Sequence, residues 1–460
     1  MGNKKNAWLK FDDTKKEEIF SFCEGYKKYI SDCKTERESI KEAISLAESK
    51  GYRDLKNVIS AGKSLKAGDK VYYNNMDKSL ALFLIGSESI ESGMRIIGSH
   101  VDSPRLDLKP NPLYEDSELS LMETHYYGGV KKYQWVTIPL ALHCVVVKKD
   151  GTKIDVVVGE EETDPVVMVS DLLVHLASEQ QQKKATEVIA GEDLNILVGS
   201  MPLEGEEKEA VKANILKLLK EKYDFEEEDF MSAEIEIVPA GKARDLGLDR
   251  SMVAGYGHDD RICAYTSLLA LLETESTKKT SVVLLVDKEE VGSIGATGMQ
   301  SRFFENAVAE LMDRVGEYSE LKLRRALANS KMLSSDVTAA FDPNYAGAYE
   351  KKNSAFFGKG LAFAKYTGAR GKSGCNDANA EFVAWLRNVM DENDVAYQMA
   401  ELGKVDQGGG GTIAYILAEY GMEVIDCGVA LQNMHAPWEV ASKVDIFETM
   451  RGYKAFLMAE

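Results

Sequence analysis

The run VVLLV at positions 282–286 carries no polar side chain, and two adjacent glutamates, Glu289 and Glu290, follow within four residues. An apolar run of that length reads as a strand. Like charges side by side repel, and burial makes the repulsion worse, so either both glutamates face water or something positive sits between them. The pattern recurs along the chain. In MRIIGSHVD a strand read over Met94–Gly98 is followed by His100 and Asp102. MLSSDV places Asp336 at the end of a third strand, and GVALQNMHAP places His435 after a fourth. GYGHDDRICAY sets Asp259 and Asp260 at a loop-to-helix junction.

From RICAYTSLLALLE onward, helix and strand patterns alternate. Helix 262–273 leads to strand 281–286, and a long helical stretch 301–329 leads to strand 331–335. Helix 377–391 leads to strand 395–402, helix 411–420 leads to strand 422–427, and a last helix covers 444–459. That rhythm predicts an α/β fold, a mostly parallel sheet with helices on both faces. Residues 11–50 are polar and helical in pattern, and a Pro-rich loop follows the Met94–Gly98 strand. Between about 111 and 245 the rhythm breaks. TIPLALHCVVVKKDGTKIDVVVGE reads as a hairpin turning at Asp150-Gly151. EEKEAVKANILKLLKEKYDFEEEDF reads as an acidic helix with the run Glu226–Asp229 as its solvated end, and AEIEIVPAGKARDLGLD closes the stretch as a strand. At 460 residues the chain is long for one compact core. The expected organisation is one domain made of 1–110 and 246–460, interrupted by a second, inserted at 111–245.

A net charge of −19, from 56 Lys plus Arg against 75 Asp plus Glu, argues against a nucleic-acid or anionic-membrane partner. No apolar run approaches the roughly 20 residues of a membrane span. The start, MGNKKNAWLK, has neither the apolar core and cleavage site of a signal peptide nor the Ser/Thr of a myristoylation signal. Cys23, Cys33, Cys144, Cys263, Cys375 and Cys427 show no C-x-x-C spacing and read as free thiols in a reducing cytoplasm.

The six histidines divide by context. His143 and His175 sit in apolar patterns and read as partly buried. His125, in METHYYGGV, reads as a loop residue able to contact substrate or a partner subunit, and His258 reads as a loop residue. His100 differs, because Asp102 two residues on can accept its second ring N–H and fix the tautomer of a metal-binding imidazole. Each motif alone has a bland reading: Arg261 neutralising Asp259 and Asp260, or the glutamate pair on a solvated loop. Together, two histidines and at least three carboxylates at separate strand ends need a compensating charge, and a pair of divalent cations supplies it. Imidazole and carboxylate without thiolate suit Zn, Mn or Co. Gly408–Gly411 before Thr412 permit close backbone approach, N–H groups at a helix start, or a tight turn. The Gly-x-x-x-x-Gly-Lys pattern of a phosphate loop is missing.

The segments SHVDSPRLDLKP, HDDRICAYTSLLAL, DKEEVGS, SSDVTAAFDPNY, SGCNDANAEF, DQGGGGTIA and ALQNMHAPWE follow in order from about residue 94. They resemble the successive signatures of the aspartyl aminopeptidase and vacuolar aminopeptidase I family. DQGGGGTIAYILAEYG is similar to the bacterial aminopeptidase 1 branch. The resemblance implies a dinuclear metallo-aminopeptidase acting on peptides, with a zinc-exopeptidase-like catalytic domain and an inserted β-rich dimerisation domain. It implies two divalent ions per subunit, Zn first with Mn or Co as alternatives, and a homo-oligomer forming a tetrahedral dodecamer. It implies His100 and Asp336 as ligands of one metal, and Glu290 and His435 as ligands of the second. Asp259 would bridge them, with Asp260 as the alternative, while Asp102 orients His100 and Glu289 is the general base. Lys365, Gly409, Gly410 and His125 are expected at the substrate, Lys365 with its register slipped by one from the family's lysine. Ala339 and Asp342 stand where the acidic-specific branch has histidines, so a preference for N-terminal Asp or Glu is not expected. A related dinuclear amidohydrolase or deacetylase would use the same ligands with another pocket.

Overall fold

The computed structural model describes residues 5–460; residues 1–4, which carry part of the reading of the chain's start, lie outside the described residues. The chain divides into two compact units. One runs to Asp102 and continues through Ala243–Met434 and Glu439–Glu460; the other is Ser103–Lys242 with His435–Trp438. The second unit begins before the expected 111, because the Pro-rich stretch is a strand, Arg105–Asp116. Its register breaks between Leu108 and Leu113, bracketing Pro110 and Pro112, where a residue without an N–H is tolerated.

In the first unit a nine-stranded mixed sheet runs in the order Arg53–Asp54, Lys70–Asn75, Ser79–Leu84, Ser281–Val286, Arg95–His100, Lys331–Ser335, Glu423–Gly428, Leu361–Ala364, Tyr397–Met399. Its four middle strands, Ser281–Val286 to Glu423–Gly428, are mutually parallel. Their alternation explains the uninterrupted apolar runs. Val283, Leu285, Ile97, Leu333 and Ile425 join one core with helices His258–Leu272, Ala380–Glu392 and Lys443–Met458. Val282, Leu284, Val286, Ile96, Met332 and Val424 join the opposite core with helices Phe303–Arg314, Glu320–Ala328 and Ala414–Ala418. With both faces covered, a charged side chain needs a partner within the sheet, as Asp426 has in Thr412, or a place past the strand ends. In register Val286 stands opposite His100, so the glutamate pair and His100 leave the sheet at the same edge. A five-stranded sheet in the same unit includes Met252–Gly255 paired with Glu439–Ser442.

The second unit holds a seven-stranded antiparallel sheet, with the expected hairpin formed by Leu140–Val147 and Lys153–Val158. Gly151 takes the φ of +88° that its turn requires.

Other expectations are corrected. The stretch 301–329 is two helices, Phe303–Arg314 and Glu320–Ala328. Gly316 turns the chain at φ +77°, and Ser319 caps the second helix by accepting from Lys322 N–H. Glu226–Asp229 is not the helix end: Glu226–Glu228 are exposed as expected, but a separate 3₁₀ turn, Glu227–Ser232, holds most of the run, and buried Asp229 accepts the Glu226 N–H at 2.9 Å. The helix expected over 411–420 is only Ala414–Ala418, so the glycine run stays outside it. Among the described residues no helix is long and apolar enough to cross a membrane.

Asp445, in the last helix and fully buried, shows how this unit satisfies an interior carboxylate. Its oxygens accept the N–H groups of Gly358 and Gly360 at 2.7 and 2.6 Å. Replacing it by Ala would strand two buried donors at roughly 1–3 kcal/mol each. Asp445→Ala is therefore expected to lower the urea midpoint of unfolding by an amount equivalent to about 2–5 kcal/mol.

Candidate metal centre

His100 is the last residue of its strand, and its ring is 2% exposed. Nδ1 lies 3.0 Å from the Asp102 carbonyl oxygen and 3.4 Å from Asp102 Oδ1. Nε2 faces Asp259 Oδ1 at 3.1 Å, Asp336 Oδ1 at 3.7 Å and Glu289 Oε2 at 3.8 Å. An Nδ1–H donated to the carbonyl leaves the Nε2 lone pair turned toward the carboxylates.

Asp102 has a second role that sequence reading missed. Glu289 N–H donates to its Oδ1 and Glu290 N–H to its Oδ2, each at 3.2 Å. The glutamates lie in a 3₁₀ turn, Glu289–Val291, flanked by left-handed Lys288 and Gly292. Asp336 follows the strand Lys331–Ser335 and its N–H donates to the Cys427 carbonyl at 2.9 Å. Asp259 and Asp260 open the helix His258–Leu272, where their backbone is not helical and the peptide between them is cis. Asp259 N–H donates to Glu439 Oε2 at 3.1 Å. Glu439 also escaped the sequence reading; the available signal was an acid at the head of the apolar pattern EVA, four residues after His435.

Arg261 does not neutralise the aspartates as the bland reading had it. Its guanidinium donates to the main-chain carbonyls of Lys34, Val101 and Tyr256 at 3.0, 3.4 and 3.4 Å. Burial pushes the Glu289 carboxyl up to about 8, and Asp336 and Asp260 are raised chiefly by burial, with neighbouring carboxylates adding to it. Burial alone would lower His100, yet the neighbouring carboxylates of Asp102, Asp259 and Asp336 hold it well above the ordinary histidine range. Several acids thus crowd one imidazole. Two overlapping sets, His100–Asp259–Glu290 and His100–Asp260–Asp336, have ligand atoms within 4.8 Å of one another. Buried nitrogen and carboxylate oxygen donors without thiolate fit Zn2+ or a similar divalent cation, whose charge offsets the repulsion.

The remaining expected residues take their places within their own units. His435 belongs to the second unit, where Nδ1 lies 2.9 Å from the Gly129 carbonyl oxygen, and neither set includes it. His125 is on a strand, Leu119–Tyr127, not a loop, with an exposed ring near the Tyr126 carbonyl. His175 is exposed in a short 3₁₀ turn, against the expectation of burial, whereas His143 is buried beside Glu160 at 3.0 Å. His258 is no loop residue: it is fully buried, with Nδ1 2.6 Å from the Tyr26 hydroxyl. Lys365 is ion-paired with Asp377, which also holds Lys372 at 2.9 Å. Gly410 N–H donates to the Thr367 carbonyl, and a Cβ on Gly409 would fall 2.4 Å from Ala369 N, so these glycines pack two loops together. Thr412 donates to Asp426 Oδ1 at 2.6 Å, holding the end of the run against the sheet.

The family model described as aminopeptidase I zinc metalloprotease (M18) matches residues 29–457. A probable M18 family aminopeptidase 1 of Clostridium acetobutylicum is 66% identical over 454 residues, covering 98% of each chain. The structure of an M18 family aminopeptidase from Thermotoga maritima superposes with a TM-score of 0.94 at 45% identity, covering 99% of both chains. That of aminopeptidase I from C. acetobutylicum gives 0.93 at 64%, also over 99% of both. The S. cerevisiae mApe1 dodecamer, 20% identical with a TM-score of 0.77 over 95% of this chain and 96% of its own, shares the fold.

Asp102→Asn leaves one acceptor where two N–H groups converge. Titration of metal-stripped protein with Zn2+ against a competing chelator is expected to show affinity lowered roughly 10–100-fold.

Proposed function

The chain belongs to the aminopeptidase I zinc metalloprotease (M18) family and is a metal-dependent aminopeptidase, and we propose that it removes N-terminal residues at a dinuclear centre formed around His100. The ligands on this reading are His100, Asp259, Glu290 and Asp336, with Asp260 the alternative bridge; His435 as a further ligand rests on the sequence motif alone. Zn2+ is the first choice of ion, Mn2+ or Co2+ the alternatives. The observation that carries the reading is the convergence of those carboxylates on one buried imidazole, with Asp102 beneath the glutamate pair.

Divalent cations held by His100, Asp259, Glu290 and Asp336 would supply Lewis acidity, for the scissile carbonyl and for lowering the pKa of a water toward neutrality. Glu289 accepts the proton of the attacking water as the new C–O bond forms, and returns it to the departing amine as the C–N bond breaks. Asp102 fixes the backbone of Glu289 and the tautomer of His100. Remaining carboxylate charge attracts the substrate's α-ammonium group, which accounts for exopeptidase action. Asp342 uses Oδ1 to accept the Asn344 N–H at 2.9 Å, and Ala339 offers no charge, so neither supports selection of acidic residues.

Wild type is expected to cleave neutral aminoacyl-anilides at least as fast as acidic ones and to leave N-acetylated versions intact. Glu289→Gln keeps its metal while turnover falls at least roughly 100-fold. Glu290→Gln loses metal and is partly restored by adding it. Wild-type turnover by Glu289→Gln would overturn the assignment of the base.

All six cysteines are free, in keeping with a reducing cytoplasm. On the second unit Leu172, Leu173, Val174 and Leu176 are 48–68% exposed, an apolar face that suits a dimerisation element. The assembly proposed is a homo-oligomer, a tetrahedral dodecamer. Light scattering is expected to give a mass well above the 50.9 kDa chain, and a stable monomer at micromolar concentration would overturn it.

A further inference from the structure

Glu439 opens the strand Glu439–Ser442 and is 1% exposed. In register it stands opposite Gly255, the last residue of its partner strand. Beyond Gly255 the chain turns at Gly257, φ +73°, into the helix His258–Leu272. The first N–H groups of any helix lack partners within it. Here the N-cap is Gly257, which has no side chain to offer, and the donor of Asp259 is taken by Glu439 Oε2 at 3.1 Å. The cap comes from a different strand. As a carboxylate, it makes the bond a charge-assisted one.

The residue so held has φ −81° and ψ +107°, outside the helical region, so the helix ladder does not fix its backbone. Asp259 nonetheless presents Oδ1 at 3.1 Å from His100 Nε2. We propose that Glu439 is a positioning residue for the Asp259 carboxylate, fixing its backbone by accepting the Asp259 N–H and so setting the affinity of the centre for its cation. The inference rests on reading the cluster around His100 as the metal centre. Asp102 does for Glu289 and Glu290 what Glu439 does for Asp259, and the lever in both cases is the main chain.

The test separates the hydrogen bond from the charge. Metal-stripped wild type, Glu439→Gln, Glu439→Asp, Glu439→Met and His100→Ala are each titrated with Zn2+ against a chromophoric chelator. Thermal unfolding of the same metal-stripped samples is recorded. Gln keeps an acceptor oxygen at the same reach and is expected to bind zinc within about 5-fold of wild type, the difference between a neutral and a charge-assisted bond. Asp keeps the charge but is one methylene too short, and Met keeps the length but has no such acceptor. Each is expected to bind about 10–100-fold more weakly. Either of these two, if folded, carries the comparison with Gln. Zinc binding by Asp or Met as tight as by Gln overturns the proposal. So does a fall in melting temperature with zinc affinity of the folded protein unchanged, the mark of a purely structural role. If His100→Ala binds zinc like wild type, the metal-centre reading itself fails, whatever the Glu439 variants do.

Discussion

The carboxylate of Asp102 accepts the main-chain N–H groups of Glu289 and Glu290 while lying against the ring of His100, and the arrangement of the centre depends on that one contact. It joins the ends of two neighbouring parallel strands that are 187 residues apart along the chain. It also explains how two like charges stand side by side at the edge of a packed core. Their backbones share an anionic acceptor, so the turn is held from beneath whichever way the side chains are charged. Side-chain repulsion of this kind is a few kcal/mol at an intermediate dielectric. Two charge-assisted hydrogen bonds are of comparable size.

The buried acids differ in their partners. Asp445 has a peptide N–H donor for each oxygen, although burial still raises its carboxyl to about 7. Asp260 and Asp336 face other acids, and Arg261, the nearest cation in sequence, is turned toward main-chain carbonyls. Residue type is the same in both; the difference is the supply of positive partial charge. On the proposed reading, a divalent cation would provide at the centre what two peptide N–H groups provide at Asp445. This contrast, rather than the count of acids, distinguishes a binding centre from a satisfied interior.

The α/β class and the positions of most elements of the first unit were legible because apolar runs and amphipathic helices carry strong periodic signals. His100, the Glu289–Glu290 pair and Asp336 were legible for the same reason, as polar residues that interrupt those signals at strand ends. What the sequence hid was mediated by the backbone. The clamp by Asp102 and the cap by Glu439 involve main-chain donors, which leave no mark on residue type. For Gly410 the sequence left a turn and an available N–H both open, and the N–H is used for a contact to Thr367. The Pro-rich strand Arg105–Asp116 was read as a loop because proline argues against pairing, and only the register shows that both prolines sit in its break. Whether a histidine in an apolar pattern is covered, as His143 is, or bare, as His175 is, depends on contacts that periodicity does not carry.

The strand order has a further consequence, for how the molecule is made. Arg95–His100 lies between Ser281–Val286 and Lys331–Ser335, so a strand made early must wait for both its neighbours. At about 5–20 residues per second, a ribosome needs on the order of ten seconds or more to supply them. During that interval two edges of the Arg95 strand are unpaired, and its apolar side chains are without their final cover. The intervening segment, which forms most of the second unit, emerges in that interval with all seven strands of its own sheet. It can fold first and bring the two halves of the first unit together, shortening the chain closure that the central pairing requires. On this view the long interruption is a folding aid to the unit it interrupts, and His100, Glu289 and Asp336 come together only after the sheet has closed.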